Sequence, residues 1–203
     1  MSEYSSNQLL ENLFWANHDS HAVALYHFLG DSQIVFIKKE KVDPGQESVW
    51  DYPRPPALRH CDKRVHIILN GEVLADTKTA LCVLETSHPP TYYLPPADID
   101  MQKLKETRDN SFCEWKGIAN YFDIISNNRQ LTHVAWAYHK PTTIFIALKD
   151  HVAFYAHVMD ACYVDGEKVT SQPGNFYGGW VTSNLVGPFK GEPGTMGWWY
   201  NRL

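Results

Sequence analysis

Glu85 and His88 stand where a carboxyl group and an imidazole could perform acid–base chemistry. Glu85 ends the apolar run Leu81–Leu84, and His88 lies in the turn that follows, directly before two prolines. A carboxylate at the rim of a buried strand is partly desolvated, which raises its pKa toward the useful range for a general acid or base. Under the alternative interpretation Glu85 is structural, and its carboxylate accepts amides of the turn or pairs with Lys116 or Arg54.

A thiol, a cation and a glycine fall within residues 113–117. A lysine close to a thiol favours the thiolate, so Cys113 is a candidate nucleophile beside Lys116. A desolvated Lys116 would instead act as a base or hold an anionic ligand, because a lysine fixed beside an aromatic side chain needs a partner. The competing interpretation of Cys113 is packing, since free cysteines are commonly buried. The predicted catalytic residues are Glu85, Lys116, Cys113 and His88.

Aromatic side chains recur on three predicted strands in the middle of the chain. Because side chains alternate between the two faces of a strand, those at alternate positions can share one concave face. An aromatic-lined cleft with a few polar groups is the usual form of a small-molecule site. The alternative is an aromatic core that binds nothing. The predicted substrate-binding residues are Tyr93, Trp136, Tyr138, Tyr155 and Arg54.

No pattern in the sequence predicts a metal or a cofactor. The ten histidines form no His-Glu-x-x-His motif, and the four cysteines form no Cys-x-x-Cys pair. His66 and His133 lie inside predicted strands and are expected to be structural. No Gly-Lys-Ser/Thr tripeptide is present, and the glycine-rich residues 187–194 are interrupted by prolines, which is typical of a turn-rich tail. We therefore expect chemistry that uses neither metal nor cofactor.

Composition excludes several classes of partner. The chain has 203 residues, 18 of them Lys or Arg and 23 Asp or Glu, which gives a formal net charge of -5. It contains no long block of like charges, so a nucleic acid is not an expected partner. No stretch approaches the ~20 apolar residues of a membrane span, and the first residues lack the basic region of a signal peptide. We predict a cytoplasmic protein without a membrane partner, its cysteines reduced.

Short apolar segments between turn residues predict a mainly β chain. The best hairpin pattern is Asn70-Gly71, which separates Val65–Leu69 from residues 72–75, because both turn positions need positive φ. Strands at short intervals without long helices indicate antiparallel sheets. The other predicted strands are 22–29, 33–38, 80–85, 91–94, 121–125, 132–138, a strand from Val152, and 160–164 returning beside that strand.

The remaining segments are predicted to be short helices or irregular. Apolar residues three and four apart favour an amphipathic helix at 7–15, whereas the prolines in 42–56 predict an irregular segment. Residues 98–107 are interpreted as a helical turn or an irregular edge. We predict one domain with three parts: an N-terminal extension at 1–63, a β core at 64–165, and a Gly-, Pro- and Trp-rich tail at 166–203 that packs on the body.

Five motifs occur in an order that resembles a known family. They are LETSHPP at 84–90, YYLP at 92–95, CEWKG at 113–117, AWAY at 135–138 and VAFY at 152–155. Together they resemble the domain-of-unknown-function family four hundred and twenty-seven, also filed under a nucleotidyltransferase-like name. The segments VWDYPRPP at 49–56, FYGGW at 176–180 and GPFKG at 187–191 resemble a longer branch of it.

The resemblance implies a β-tent architecture, similar to that of B-type methionine sulfoxide reductase and of translationally controlled tumour protein. Several β-tent proteins hold a structural zinc with two Cys-x-x-Cys pairs, which this chain lacks, so the fold carries over and the metal does not. The sequence contains no phosphate-binding motif that would support the nucleotidyl-transfer name. The expected fold is a mainly β, antiparallel β-tent-like single domain with short helices and an irregular C-terminal tail.

Three functions remain open on the sequence. The first is a small-molecule enzyme using cofactor-independent acid–base chemistry, of isomerase, cyclase, lyase or hydrolase type. The second is a non-catalytic module that binds a small molecule or peptide in the same cleft. The third is a homodimer contact built from the tail between Trp180 and Tyr200. The number of ionisable residues near Glu85 favours the enzyme.

Overall fold

The chain forms β-strands in short segments because its β-branched and aromatic residues are separated by turns of Gly, Pro, Asn and Asp. The computed structural model describes residues 22–25, 35–38, 40–126, 129–174 and 176–193. In chain order the strands are β1 (Ala22–Leu25), β2 (Val35–Lys38), β3 (Glu47–Ser48), β4 (Ala57–His60), β5 (Val65–Leu69), β6 (Glu72–Thr77), β7 (Leu81–Leu84), β8 (Thr91–Tyr93), β9 (Leu104–Cys113), β10 (Gly117–Ser126), β11 (Arg129–Ala137), β12 (Val152–Phe154), β13 (Ala161–Val164), β14 (Glu167–Lys168), β15 (Thr170–Ser171), β16 (Trp180–Val181) and β17 (Leu185–Val186).

Helical structure within the described ranges is limited to short 3-10 segments. None of these is long and apolar enough to cross a membrane. The helix predicted at 7–15 lies outside the described residues. The 3-10 segments are Val49–Asp51, Pro96–Asp98, Met101–Lys103, Thr143–Leu148 and Ala156–Val158.

Two four-stranded sheets carry most of the architecture, in the orders β12-β11-β10-β9 and β14-β13-β5-β6. A third sheet has the order β4-β7-β8 and joins the first through paired backbone hydrogen bonds of 2.8 and 2.9 Å between Leu94 and Val152. Pairing is antiparallel in all three, and only β3 with β17 is parallel among the described strands. The mainly β, antiparallel, β-tent-like fold is thus confirmed.

Several element predictions are confirmed in detail. Asn70 and Gly71 form the β5–β6 turn with φ of 53° and 74°, and a strand does begin at Val152. The described strands β1 and β2 pair as expected, although their turn lies outside the described residues. The three-part division at residues 63 and 165 stays a prediction.

Other element predictions are wrong, each for a tertiary reason. The strand at 161–164 pairs with β5, not with the strand from Val152, because a chain reversal does not oblige its two arms to pair. The prediction for 98–107 is right at Met101–Lys103, which form a 3-10 turn, and wrong from Leu104, where the long edge strand β9 begins although its side chains are mostly polar. Within 42–56, expected to be irregular, residues 47–48 pair with the tail as a parallel strand.

A buried carboxylate organises the β10–β11 pair. Asp123 is buried at a register shift between Phe122 and Ile124. Its carboxylate accepts the His133 backbone N–H at 2.9 Å and the Gln130 side-chain amide at 2.7 Å. His133 has a φ of 51°, so its N–H turns away from the regular ladder and needs this acceptor. Asp123 therefore satisfies the backbone that the bulge leaves unpaired.

A second bulge interrupts β9. Asn110 pairs with Asn120 and Glu106 with Phe122, so residues 107–109 have no regular partner on β10. Within this bulge the Asp109 backbone N–H donates to the Thr107 hydroxyl at 3.1 Å. The local side chain thus replaces the missing strand partner.

We expect Asp123→Ala to lower the free energy of unfolding by about 1–3 kcal/mol, since it leaves a buried N–H unsatisfied. Urea denaturation of purified protein measures this loss. The matched control is Asp109→Ala, whose mostly exposed carboxylate also bonds His133, at 2.8 Å from the ring, and whose loss should cost at most ~1 kcal/mol. Equal destabilisation by both changes would contradict the role given to Asp123.

Candidate functional site

The candidate site gathers around Glu85, at the end of β7. The Glu85 carboxylate is 18% exposed and accepts a hydrogen bond from Arg54 Nη1 at 2.6 Å. The other guanidinium nitrogen, Nη2, donates to Glu114 at 2.8 Å. One cation therefore connects the proline-rich segment, the loop after β7 and the β9–β10 turn. Of the structural interpretations of Glu85, the geometry selects pairing with Arg54.

Trp115 forms the surface beneath this cation. The Arg54 guanidinium lies 5.6 Å from the Trp115 ring centroid, a cation–π distance. The Trp115 indole N–H is buried and has no hydrogen-bond partner among the described residues. Burying an unpaired donor costs free energy, so this N–H lowers the stability of the folded chain.

Lys116 is a buried cation beside Glu85. The residue is 9% exposed, and its Nζ lies 5.9 Å from the Tyr138 ring centroid. Within the described ranges no carboxylate lies at salt-bridge distance from its ammonium. Burial acts to lower the pKa of Lys116, but the opposing influence of Tyr93, Cys113 and Glu85 raises it above its ordinary value. The side chain therefore stays charged without a direct counter-ion.

Cys113 is brought to Lys116, as the spacing predicts. Cys113 is close enough to Lys116 to be among the groups that raise the pKa of its ammonium. Cys113 pairs with Gly117 across a tight turn, and this Gly has a φ of +96°. A side chain at this position would be strained and would press on the Lys140 carbonyl at 3.3 Å. The glycine thus permits the turn that sets the thiol and the ammonium side by side.

His88 lies on the other side of Glu85. Its Nδ1 donates to the Thr86 carbonyl at 2.9 Å, and its ring meets Tyr177 edge-on with centroids 4.7 Å apart. Burial lowers the pKa of His88, more strongly than the nearby Glu85 raises it. The imidazole is therefore neutral at pH 7, with Nδ1 committed to the loop.

Lys190 approaches the same carboxylate from the tail. Its backbone N–H donates to the Ser87 carbonyl at 2.8 Å. Burial and the positive charge of Arg54 lower the pKa of Lys190, while Glu85 opposes this effect. Lys190 thus shares its neighbourhood with another cation, and its amine loses its proton more readily than an exposed lysine does.

The four predicted aromatic residues do share one face. Trp136 donates its indole N–H to the Tyr93 hydroxyl at 3.2 Å and packs on Tyr155 at a centroid distance of 4.6 Å. The Tyr93 and Tyr138 rings lie 6.2 Å apart. Tyr93, Trp136 and Tyr138 are buried, so they form a packed layer beneath the ionisable groups and not the walls of an open cleft.

Burial also fixes the protonation of these phenols. It raises the pKa of Tyr93 and of Tyr138, and for Tyr138 the neighbouring Tyr93 and Cys113 raise it further. Both hydroxyls therefore keep their protons at neutral pH and act as hydrogen-bond donors.

The C-terminal segment closes over this layer. Gly178 lies against the Trp136 ring so tightly that an added Cβ would stand 2.1 Å from the ring, which requires glycine here. Gln172 fastens the segment, since its side chain accepts from the Gly179 N–H at 3.1 Å and donates to the Lys190 carbonyl at 2.9 Å. Gly178 and Gln172 thus hold the described part of the tail against the aromatic layer.

Sequence reasoning missed three residues of the cluster, Glu114, Tyr177 and Lys190. Tyr177 and Lys190 stand inside FYGGW and GPFKG, the two tail motifs of the family resemblance. The motifs indicated that these tail segments belong to the family pattern. They did not indicate which strand of the body each segment packs on. Glu114 directly follows Cys113, and its role depends on the distant Arg54.

No group of three potential metal ligands comes together within the residues that the structure describes. A separate surface depression of about 430 Å³ lies away from Glu85, and His60, Cys61, Lys78 and His151 are among its lining residues.

Residues 57–165 match a protein-family model described as Domain of unknown function (DUF427). The match covers more than half of the 203-residue chain. The protein belongs to the DUF427 family. A search of curated proteins found no match.

The DUF427 segment contains all four predicted catalytic residues, whereas Arg54, Tyr177 and Lys190 lie outside it. The segments that flank the family domain therefore supply two of the cations near Glu85. The family description names no activity, so the catalytic and substrate-binding roles stay predictions.

We expect Trp115→Phe to leave the free energy of unfolding unchanged or to raise it by up to ~1–3 kcal/mol, because it removes an unpaired buried donor. Trp136→Phe is the matched control. It deletes an indole N–H that is bonded to Tyr93 and should cost ~0.5–1.5 kcal/mol. Guanidinium denaturation of both variants makes the comparison, and a greater loss in Trp115→Phe would show that its N–H has a partner.

Proposed function

We propose that this DUF427 protein is an enzyme that performs cofactor-independent acid–base chemistry on a small organic anion. The observation that supports this most directly is Lys116, a buried ammonium without a carboxylate at salt-bridge distance among the described residues. A buried charge is costly unless it is paired. An anionic group of a substrate would supply the missing partner.

The balance of charge supports an anionic substrate. Arg54, Lys116 and Lys190 approach Glu85, which has Glu114 as the second carboxylate of the cluster. Burial is the main cause that lowers the pKa of Lys190, and the positive charge of Arg54 adds to the lowering, as expected where cations gather. A carboxylate or phosphate entering the site would relieve repulsion between the cations. The excess is local, because the whole chain carries a net charge of -5.

Glu85 is the proposed proton acceptor. Abstraction of a proton from carbon beside a carbonyl or carboxylate group would move that proton to Glu85 and leave negative charge on the substrate oxygen. Lys116 would stabilise that oxygen, with the protonated hydroxyls of Tyr93 and Tyr138 behind it. Return of the proton to another atom gives isomerisation, and loss of a leaving group gives elimination. A positioned acid or base contributes ~10²–10⁴-fold to such rates.

Arg54 regulates access to Glu85 in this proposal. Its guanidinium is bonded to the carboxylate at 2.6 Å, and its side chain is 45% exposed. A guanidinium at the surface is held weakly, so an anionic substrate can draw it away from Glu85 and use it as a second anchor. His88 and Cys113 then flank the reacting group as a neutral imidazole and a thiol. We propose the cytoplasm as the place of action, because all four cysteines are free thiols, which is typical of a reducing compartment.

The alternative is a binding module that holds the same anion without converting it. The Arg54–Glu85 contact favours this alternative, since a carboxylate committed to a guanidinium is a structural anchor as well as a possible base. Both functions use Lys116, and they differ only in what Glu85 does. A homodimer through the tail remains a separate prediction, and Trp180 cannot provide it because that ring is fully buried.

We expect a thermal-shift screen of the purified protein against small carboxylates and phosphates to yield a ligand, since binding raises apparent stability by mass action. Lys116→Met should abolish the shift, and Glu85→Gln should keep it. Mass spectrometry should then detect conversion of that ligand by the wild type, and a loss of turnover of about 10²-fold or more in Glu85→Gln.

Matched controls separate site effects from general charge effects. Lys149→Met removes an exposed lysine, and Glu114→Gln removes the more exposed carboxylate that Arg54 also binds; both should keep most of the shift and the turnover. A ligand that every variant returns unchanged would make the protein a binding module. A shift that survives Lys116→Met would overturn the role of Lys116.

A further inference from the structure

Cys61 and Cys82 lie on one face of the β4–β7 pair. Arg59 lies opposite Cys82 and His60 opposite Leu81, and the Cys61 backbone N–H continues the ladder by donating to the Ala80 carbonyl at 2.8 Å. Positions two residues apart on a strand point to the same face. Cys61 is therefore a diagonal neighbour of Cys82 on the same face of the sheet, and its thiol donates to the Lys63 carbonyl at 3.7 Å.

The two thiols differ in acidity. The neighbouring Cys82 thiol lowers the pKa of Cys61 although burial opposes it, and Lys63 and Arg59 add to the lowering. The same contact, together with burial, raises the pKa of Cys82. Cys61 is thus the thiol that ionises near neutral pH, and its neighbour keeps its proton. An attacking thiolate beside a protonated second thiol is the arrangement of a reactive dithiol.

Access favours the same residue. Cys61 lines the surface depression of about 430 Å³, together with His60, Lys78 and His151. Cys82 does not line that depression and is 2% exposed, whereas Cys61 is 7% exposed. Elsewhere, burial raises the pKa of Cys162 to about 12, which makes that thiol inert. A small oxidant entering the depression therefore meets Cys61 first.

We propose that Cys61 and Cys82 are a peroxide-sensitive dithiol that closes to a disulfide. The Cys61 thiolate attacks one oxygen of a hydroperoxide; the S–O bond forms, the O–O bond breaks, and the leaving oxygen takes up a proton as water or alcohol. Cys82 then attacks the resulting sulfenic sulfur, the S–S bond forms, and the hydroxyl leaves with the Cys82 proton as water. Two thiols lose two electrons and the peroxide gains them.

Closure requires a small movement of the chain. Diagonal neighbours on an antiparallel pair have Cα atoms ~7–8 Å apart, whereas a disulfide needs ~4.4–6.8 Å. The sheet order β4-β7-β8 makes β4 an outer strand, and Cys61 follows its last residue, His60. A movement at Cys61 would break its backbone hydrogen bond to the Ala80 carbonyl and would leave the pairs between β7 and β8 in place.

The test is peptide mapping of the full-length reduced protein after titration with hydrogen peroxide. We expect a disulfide-linked peptide pair containing Cys61 and Cys82, restored to free thiols by dithiothreitol. In Cys82→Ser the Cys61 sulfenic acid should accumulate and be trapped by a sulfenic-acid reagent. In Cys61→Ser the buried Cys82 should stay unmodified. Cys113→Ser and Cys162→Ser are matched controls and should form the same linked pair as the wild type.

A measurement on the wild type keeps the proposal testable if a serine variant fails to fold. Iodoacetamide should label Cys61 at least tenfold faster than Cys162 at pH 7 in the folded protein. Equal labelling rates would overturn the proposal. Peroxide oxidation that begins at Cys113, or that links Cys61 to any cysteine other than Cys82, would also overturn it. None of these readouts uses Glu85 or Lys116, so the result is independent of the proposed function.

Discussion

The candidate site depends on the contacts that Trp180 makes with the rest of the fold. The ring is fully buried and tilts onto Tyr92 at a centroid distance of 5.2 Å. Its side-chain N–H donates to the Phe154 carbonyl at 3.0 Å, and its backbone N–H donates to the Pro90 carbonyl at 2.9 Å. One residue thus ties the tail to β8, to β12 and to the end of the loop that begins with Glu85. Because Tyr177 and Lys190 lie on either side of this anchor, their positions near Glu85 follow from it.

The site itself combines a dry floor with a charged rim. The floor is the layer of Tyr93, Trp136 and Tyr138. The Trp136 indole N–H donates to the Tyr93 hydroxyl, and burial raises the pKa of both phenols, so they stay protonated. Above this layer Lys116 keeps its charge despite its burial, because Glu85 and the surrounding phenols and thiol favour the ammonium. A low-dielectric floor strengthens every charge interaction at the rim. Because Tyr93, Trp136 and Tyr138 are buried, they support the charged groups from below.

Local patterns in the sequence predicted the parts of the molecule that local chemistry determines. Asn70-Gly71 specifies its hairpin by backbone preference alone, and the spacing of residues 113–117 is short enough to place Cys113 beside Lys116. The family motifs supplied the fold. Contacts between distant segments could not be predicted from the sequence. The tail has no periodic pattern that indicates which strand it pairs with. The approach of Lys190 to Glu85 and the pairing of β13 with β5 belong to this class.

The bulge at residues 107–109 has a consequence for how copies of this protein meet in a crowded solution. β9 is the outermost strand of its sheet, and a flat outer strand of 10 residues would offer its free backbone groups to the same strand of another molecule. The bulge bends that row, and the Thr107 hydroxyl already occupies the Asp109 N–H. Exposed charged side chains at Lys105, Glu106, Arg108 and Asp109 keep the strand hydrated. The interruption that costs β9 its regular pairing thus guards the sheet against aggregation.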